Sequence, residues 1–214
     1  MKVIQFINAI KKKGFNEQQA NLLAKYALTD INFSCLCSKD LKIEQMQTLG
    51  YGLEKGYPVY LYADPSITYK KMNILNKLCE VATAQNLKED LLEYVVKWGL
   101  KLPDEFAVTL TECVELGYFP DDRTLEYLTK AEEKHLPVKP LVECLKVIYY
   151  VPDIYDKIDN DFSLSILLRC VRAGFSVHNI RKVFSCDSPS SAFKKTYEGK
   201  WLNKEISPEK LSYF

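Results

Sequence analysis

Apolar positions along this chain recur at intervals of three and four rather than two. Phe106, Leu110, Cys113, Val114 and Leu116 fall on one helical face, as do Leu125, Leu128 and Ala131, and then Leu141, Cys144, Leu145 and Ile148. The segment LSILLRCV at 164–171 is apolar almost throughout and predicts a central helix. At the N-terminus, Val3, Ile4, Phe6, Ile7 and Ile10 are interrupted by Gln5 and Asn8 and followed by lysines. That order predicts an amphipathic first helix, not a targeting segment. The β-prone stretches Val59–Tyr62 and Val147–Val151 are short and bounded by helix breakers, so both read as loop or helix-end segments. The expected fold is all-α: about ten short helices in stacked helical hairpins, arranged as a regular solenoid or an irregular helical domain.

Helix stops and starts alternate along the chain. Leu53-Glu-Lys-Gly56-Tyr57, Val114-Glu-Leu-Gly117-Tyr118 and Val171-Arg-Ala-Gly174-Phe175 share one form, with a fainter copy ending in Gly14-Phe15. Glycine suits the left-handed residue that closes a helix, and the next aromatic can fold back on the last turn. Asn16, Asp40, Ser66 or Thr68, Asp104, Asp121 and Ser176 mark starts. Ser188-Pro189 and Ser207-Pro208 add two more, with proline at the first helical position. Gly99, Gly117 and His135 stand 18 residues apart, each ending a helical pattern, which implies a two-helix repeat of roughly 36 residues. A helical-repeat domain over 1–186 and a basic C-terminal capping helix and tail over 187–214 follow.

Composition narrows the function classes. Of 214 residues, 47% are apolar and 27% charged, as in a folded globular chain. No stretch approaches the ~20 apolar residues of a membrane span, so no membrane partner is expected. The seven cysteines lie mostly in helical patterns, which points to buried thiols and a reducing, cytoplasmic compartment. Net charge is +1, but residues 1–102 carry +4, 103–161 carry −8 and 162–214 carry +5. An acidic middle between basic ends suggests separate docking regions.

The usual catalytic patterns are missing. Cys35-x-Cys37 is the one close cysteine pair, and His135 and His178 are the two histidines, so a four-ligand zinc site is not expected. His178, Cys186 and Asp187 are near in sequence but lack a nucleophile elbow. The acids at 104, 105, 121 and 122 sit at helix starts, where the helix dipole explains them. No phosphate-binding glycine loop occurs. We expect no enzyme activity and no cofactor.

Binding surfaces remain. Tyr57, Tyr60 and Tyr62 crowd one loop, and Asp121, Asp122, Glu132 and Glu133 concentrate negative charge; these are the candidate partner-binding residues. The expected partner is another protein or a protein–RNA complex. Nucleic acid is the alternative, read by Arg169, Arg172, Arg181, Lys182, Lys194, Lys195 and Lys200, with Tyr197 and Trp201 available for stacking.

Residues 41–72, LKIEQMQTLGYGLEKGYPVYLYADPSITYKKM, place Gln-Met, then Gly-Leu-x-x-Gly, then Tyr-Ala-x-Pro ahead of a second Met, with Met46 and Met72 26 residues apart. This unit resembles a short α-helical repeat of proteins from phages and mobile elements of Gram-positive bacteria. The resemblance covers about 32 residues; the next copy has Leu78-Cys79 for Gly52-Leu53 and Ala82 for Gly56. It implies a non-enzymatic accessory protein, with inhibition of a host defence complex such as a CRISPR effector among the compatible roles.

Overall fold

The computed structural model describes residues 2–202, with side chains through Glu198. Among these residues there are twelve α-helices, two turns of 3-10 helix and no strand, so the chain is all-α. The helices are α1 Val3–Lys12, α2 Glu17–Tyr26, α3 Ile43–Glu54, α4 Tyr69–Ala84, α5 Glu89–Lys101, α6 Asp104–Glu115 and α7 Asp122–Glu133, followed by α8 Val138–Ile148, α9 Pro152–Tyr155, α10 Asp161–Arg172, α11 Val177–Phe184 and α12 Pro189–Leu202. Both β-prone stretches are indeed irregular or helical: Val59–Leu61 is a 3-10 turn, and Val147 and Ile148 end α8. The chain divides into two compact units, Met1–Thr111 and Glu112–Phe214. The boundary expected at 186/187 falls within the second unit, between α11 and α12. The start expected at Ser207-Pro208 lies outside the described residues.

The first unit repeats every 26 residues. Glu17, Ile43 and Tyr69 open α2, α3 and α4. Equivalent positions are buried in each: Ala20, Met46 and Met72, then Leu23, Leu49 and Leu75. The third residue of each helix also does the same work. Gln19 Nε2 donates to the Leu41 carbonyl at 2.6 Å, and Gln45 Nε2 donates to the Ile67 carbonyl at 2.6 Å. Lys71 Nζ donates to the Leu102 carbonyl. Each acceptor lies two residues before a helix begins, α3, α4 and α6 in turn. These staples set the N-terminal ends of α2, α3 and α4 side by side, and Lys25 Nζ reaches Glu54 at 2.7 Å near the other end of α2 and α3. The three helices therefore run parallel, one per repeat, each returning through an irregular segment. Stacking here proceeds by single helices; α1 with α2 and α4 with α5 form the antiparallel pairs.

Glycine inside α3 has a packing cause. A Cβ on Gly50 would lie 2.2 Å from Tyr26 Oη, and one on Gly52 would lie 2.4 Å from Val59 Cγ1 and 2.7 Å from Asn76 Oδ1. Beside them, Tyr62 Oη donates to Asn76 Oδ1 at 2.6 Å, and Asn76 Nδ2 donates to the Thr48 carbonyl at 2.8 Å. A fully satisfied polar cluster thus sits between α3 and α4. Gly99 corrects the sequence expectation. It does not end a helix but lies within α5, where a Cβ would approach Leu75 Cδ2 to 2.8 Å. Close contact between α4 and α5 needs the glycine.

The helix stops use one device. Gly56, Gly117 and Gly174 all have positive φ, and so do Asn86 and His135. At each, the following residue donates back to a carbonyl five residues earlier: Tyr57 to Gly52, Leu87 to Ala82, Tyr118 to Cys113, Leu136 to Ala131 and Phe175 to Cys170, at 2.9–3.2 Å. This is the Schellman closure, with the expected apolar residue after the left-handed one. Asn16, Thr68, Asp121 and Ser176 cap their helices through side-chain oxygens, as anticipated. Asp40 does not: α3 starts later, with Lys42 at the cap position and Gln45 Oε1 accepting its N–H at 2.7 Å.

The second unit repeats over 39 residues with three helices per copy, in place of the two-helix repeat of roughly 36 expected from the spacing of Gly99, Gly117 and His135. Asp121 and Asn160 are equivalent caps, and His135 and Gly174 equivalent stops. Buried pairs keep the same step: Leu125 and Leu164, Leu128 and Leu167, Leu141 and Ile180, Ile154 and Phe193, Ile158 and Tyr197. Each copy is three helices, α7–α9 and then α10–α12, around one core. The α10 segment is the buried centre expected of LSILLRCV.

Candidate partner-binding surfaces

The tyrosine loop splits on burial. Tyr62 is fully buried and Tyr57 is 8% exposed, so neither is available to a partner; both close the repeat against its own core. Burial, with the Cys79 thiol beside it, drives the Tyr62 phenol far above its ordinary value. The alternation of the 3-10 turn turns Tyr60 outward alone, at 61% exposure. Its hydroxyl donates to Glu93 of α5, and that carboxyl is held below its usual range by Tyr60 and Lys97. On the same helix α5, the Tyr94 and Trp98 rings meet edge-on at 6.3 Å, with Lys101 over the indole.

The acidic candidates do not form one patch. Asp121 caps α7, accepting from the Thr124 N–H at 2.8 Å, and Thr124 holds its carboxyl below the ordinary range. Asp122 is in the first turn of α7 and Glu132 and Glu133 in its last, which separates the pairs by about 15 Å along the helix. Asp122 and Glu133 are exposed and Glu132 half-buried.

Three of the seven basic candidates face carboxylates of the chain itself. Arg172 grips Glu143 through Nε and Nη2 at 2.8 and 2.9 Å, and Arg181 holds Asp153 at 2.6 Å. Both carboxyls are pulled below their usual values by these guanidinium groups. Lys194 lies 3.9 Å from Glu198. Arg169, Lys182 and Lys195 are exposed on three different helices. Lys200 and Trp201 belong to α12, beyond the described side chains. Tyr197 is 5% exposed and stacks on Phe193, so it is no platform for a base.

His178 lies in the first turn of α11, and Cys186 lies two residues past its last residue, Phe184. Among the described residues, no group of three or more His, Cys, Asp or Glu side chains could hold a metal ion, and no helix is long and apolar enough to cross a membrane. Burial pushes Cys79, Cys113 and Cys144 thiols up to about 12.

One surface was missed in the sequence. On the outer face of the 26-residue repeats, Asn21, Gln47 and Asn73 occupy equivalent positions, all exposed. Between α2 and α3 this face forms an open groove of about 540 Å³, lined by Gln18, Asn21, Lys25, Ile43, Glu44 and Gln47. The signal was the 26-residue step itself, visible at Met46 and Met72 but not carried back to α2.

Comparison of the chain with family models, with curated proteins and with solved structures gave no match.

Proposed function

We propose that this chain is a non-enzymatic, protein-binding helical-repeat protein, and that it acts as an accessory protein of a phage or mobile element by inhibiting a host defence complex such as a CRISPR effector. The observation that carries the binding half is the contrast between its polar surfaces. The repeats present in-register, exposed amides across three successive helices, whereas Arg172, Arg181 and Lys194 of the basic region face carboxylates of the chain itself. Internal neutralisation lowers the phosphate-binding capacity that a nucleic-acid module depends on. The mobile-element half rests on the resemblance of residues 41–72, and the 26-residue step supports it by extending through α2, α3 and α4.

The biological role is tested by expressing the chain in bacteria carrying an active defence system and challenging them with targeted phage. Restored plating supports inhibition. Unchanged plating across CRISPR and restriction hosts, with the protein folded and abundant, removes the defence-inhibitor role and leaves protein binding to be tested separately.

A further inference from the structure

The amphipathic first helix has no part in the surfaces described above. Among the described helices α1 alone buries no residue. Phe6, Ile7 and Ile10 are half-buried, Val3 is 41% exposed and Ile4 72%. Leu28, just past the end of α2, is also 72% exposed. With Val3, Phe6, Ala24 and Ala27 it lines an open groove of about 320 Å³, and every lining side chain is apolar. The charge along this edge has one sign. Residues 1–16 hold Lys2, Lys11, Lys12 and Lys13 and no Asp or Glu. Lys11 lies 3.4 Å from Glu17, while Lys2, Lys12 and Lys13 have no carboxylate within ion-pair distance among the described residues.

These two properties together narrow the occupant. A second copy of the chain would bring four lysines against four others around the apolar contact, and like charges oppose that pairing. A protein partner would need a matching pocket for each protruding side chain, Ile4 and Leu28. A lipid interface yields to them without one and offers anionic headgroups to the lysines. Lysine stems can lie along the apolar boundary with their ammonium groups at headgroup level. A helix that rests on a bilayer needs none of the length of a spanning segment.

We propose that α1 and the Leu28 tip form a docking edge for an anionic lipid surface. Val3, Ile4 and Leu28 enter the acyl boundary, and Lys2, Lys11, Lys12 and Lys13 face the headgroup phosphates. The edge does not depend on the protein-binding reading, and the two fail separately.

The test is co-sedimentation of the full chain with vesicles of phosphatidylcholine alone and of an equimolar mixture of phosphatidylcholine and phosphatidylglycerol. The expected result is binding to the mixed vesicles and none to phosphatidylcholine alone. Lys11→Gln/Lys12→Gln should weaken binding about 25-fold, since each lysine near an anionic surface is worth about fivefold. Ile4→Asn/Leu28→Asn should weaken it about tenfold or more at unchanged charge. All four positions are exposed, so the fold survives, which circular dichroism verifies. Absence of binding to the mixed vesicles overturns the proposal. So does binding that Ile4→Asn/Leu28→Asn leaves unchanged, because charge elsewhere would then hold the lipid. A dimer in sedimentation equilibrium that the same variant disperses also overturns it and gives the edge to a second copy.

Discussion

Gln45 is the side chain on which the repeat geometry can be tested most sharply. It is 4% exposed, and its amide makes three bonds: Oε1 accepts the Lys42 N–H at 2.7 Å, and Nε2 donates to Ile67 at 2.6 Å and Pro65 at 3.0 Å. Each such bond contributes about 0.5–1.5 kcal/mol net. Gln45→Leu, which preserves approximate volume, should therefore cost about 2–4 kcal/mol. Gln45→Glu keeps the acceptor for Lys42 but sets a carboxylate against two carbonyl oxygens. It should cost more than leucine at pH 7, and its folded-state pKa should rise. A raised pKa means that stability is present at low pH, where the group is protonated and donates, and is lost as pH rises through the folded value. Urea unfolding followed by Trp98 fluorescence in a Trp201→Phe background reports the first unit alone, since these are the two tryptophans. The exposed Gln47→Glu is the control, expected to change stability by less than about 0.5 kcal/mol. A Gln45→Leu cost below about 0.5 kcal/mol, or a Gln45→Glu variant no worse than leucine and flat between pH 7 and 4.5, would refute the staple.

Other outcomes follow from the same contacts. Gly50→Ala should cost about 1–3 kcal/mol, because the new methyl meets the buried Tyr26 ring, and Tyr26→Phe should restore part of it by removing the atom at 2.2 Å; a double-mutant cycle measures this coupling. Gly56→Ala meets nothing within 4 Å but must hold φ at +73°, so a loss of about 1–2 kcal/mol measured by denaturation would be purely conformational. In native protein at pH 8 a thiol reagent should modify exposed Cys37 and Cys186 rapidly, while Cys79, Cys113, Cys144 and Cys170 should react only on unfolding, as peptide mass mapping can show. Asp121 has a depressed folded pKa, so its contribution is present above the unfolded value near 4 and lost as pH falls through the folded one; Asp121→Asn should cap equally well and flatten that acid limb of the urea midpoint.

Much of the fold could be read from residue chemistry. The all-α class, the Gly-aromatic stops at 56, 117 and 174 and the caps at Asn16, Asp121 and Ser176 are local features, and local rules located them. Gly99 was misread because a helix-ending glycine and a close-packing glycine look alike until the Leu75 side chain is in place. The staples are hard to see in sequence because the third helical position is Gln in α2 and α3 but Lys in α4, two side chains that share only their reach and a donor. Tyr57 and Tyr62 looked like an interface because composition cannot tell which face of a 3-10 turn each ring takes; only Tyr60 emerges. Likewise Arg172 and Arg181 looked free because their carboxylate partners are 29 and 28 residues away in sequence.

Affinity purification of the tagged chain from nuclease-treated bacterial lysate at high salt is the most direct trial of protein binding. The expected result is a stoichiometric protein partner retained at 0.5 M salt and absent with a tagged control. Recovery of nucleic acid alone, lost on nuclease digestion and weakening steeply with salt, would contradict the account and return the function to Arg169, Lys182 and Lys195.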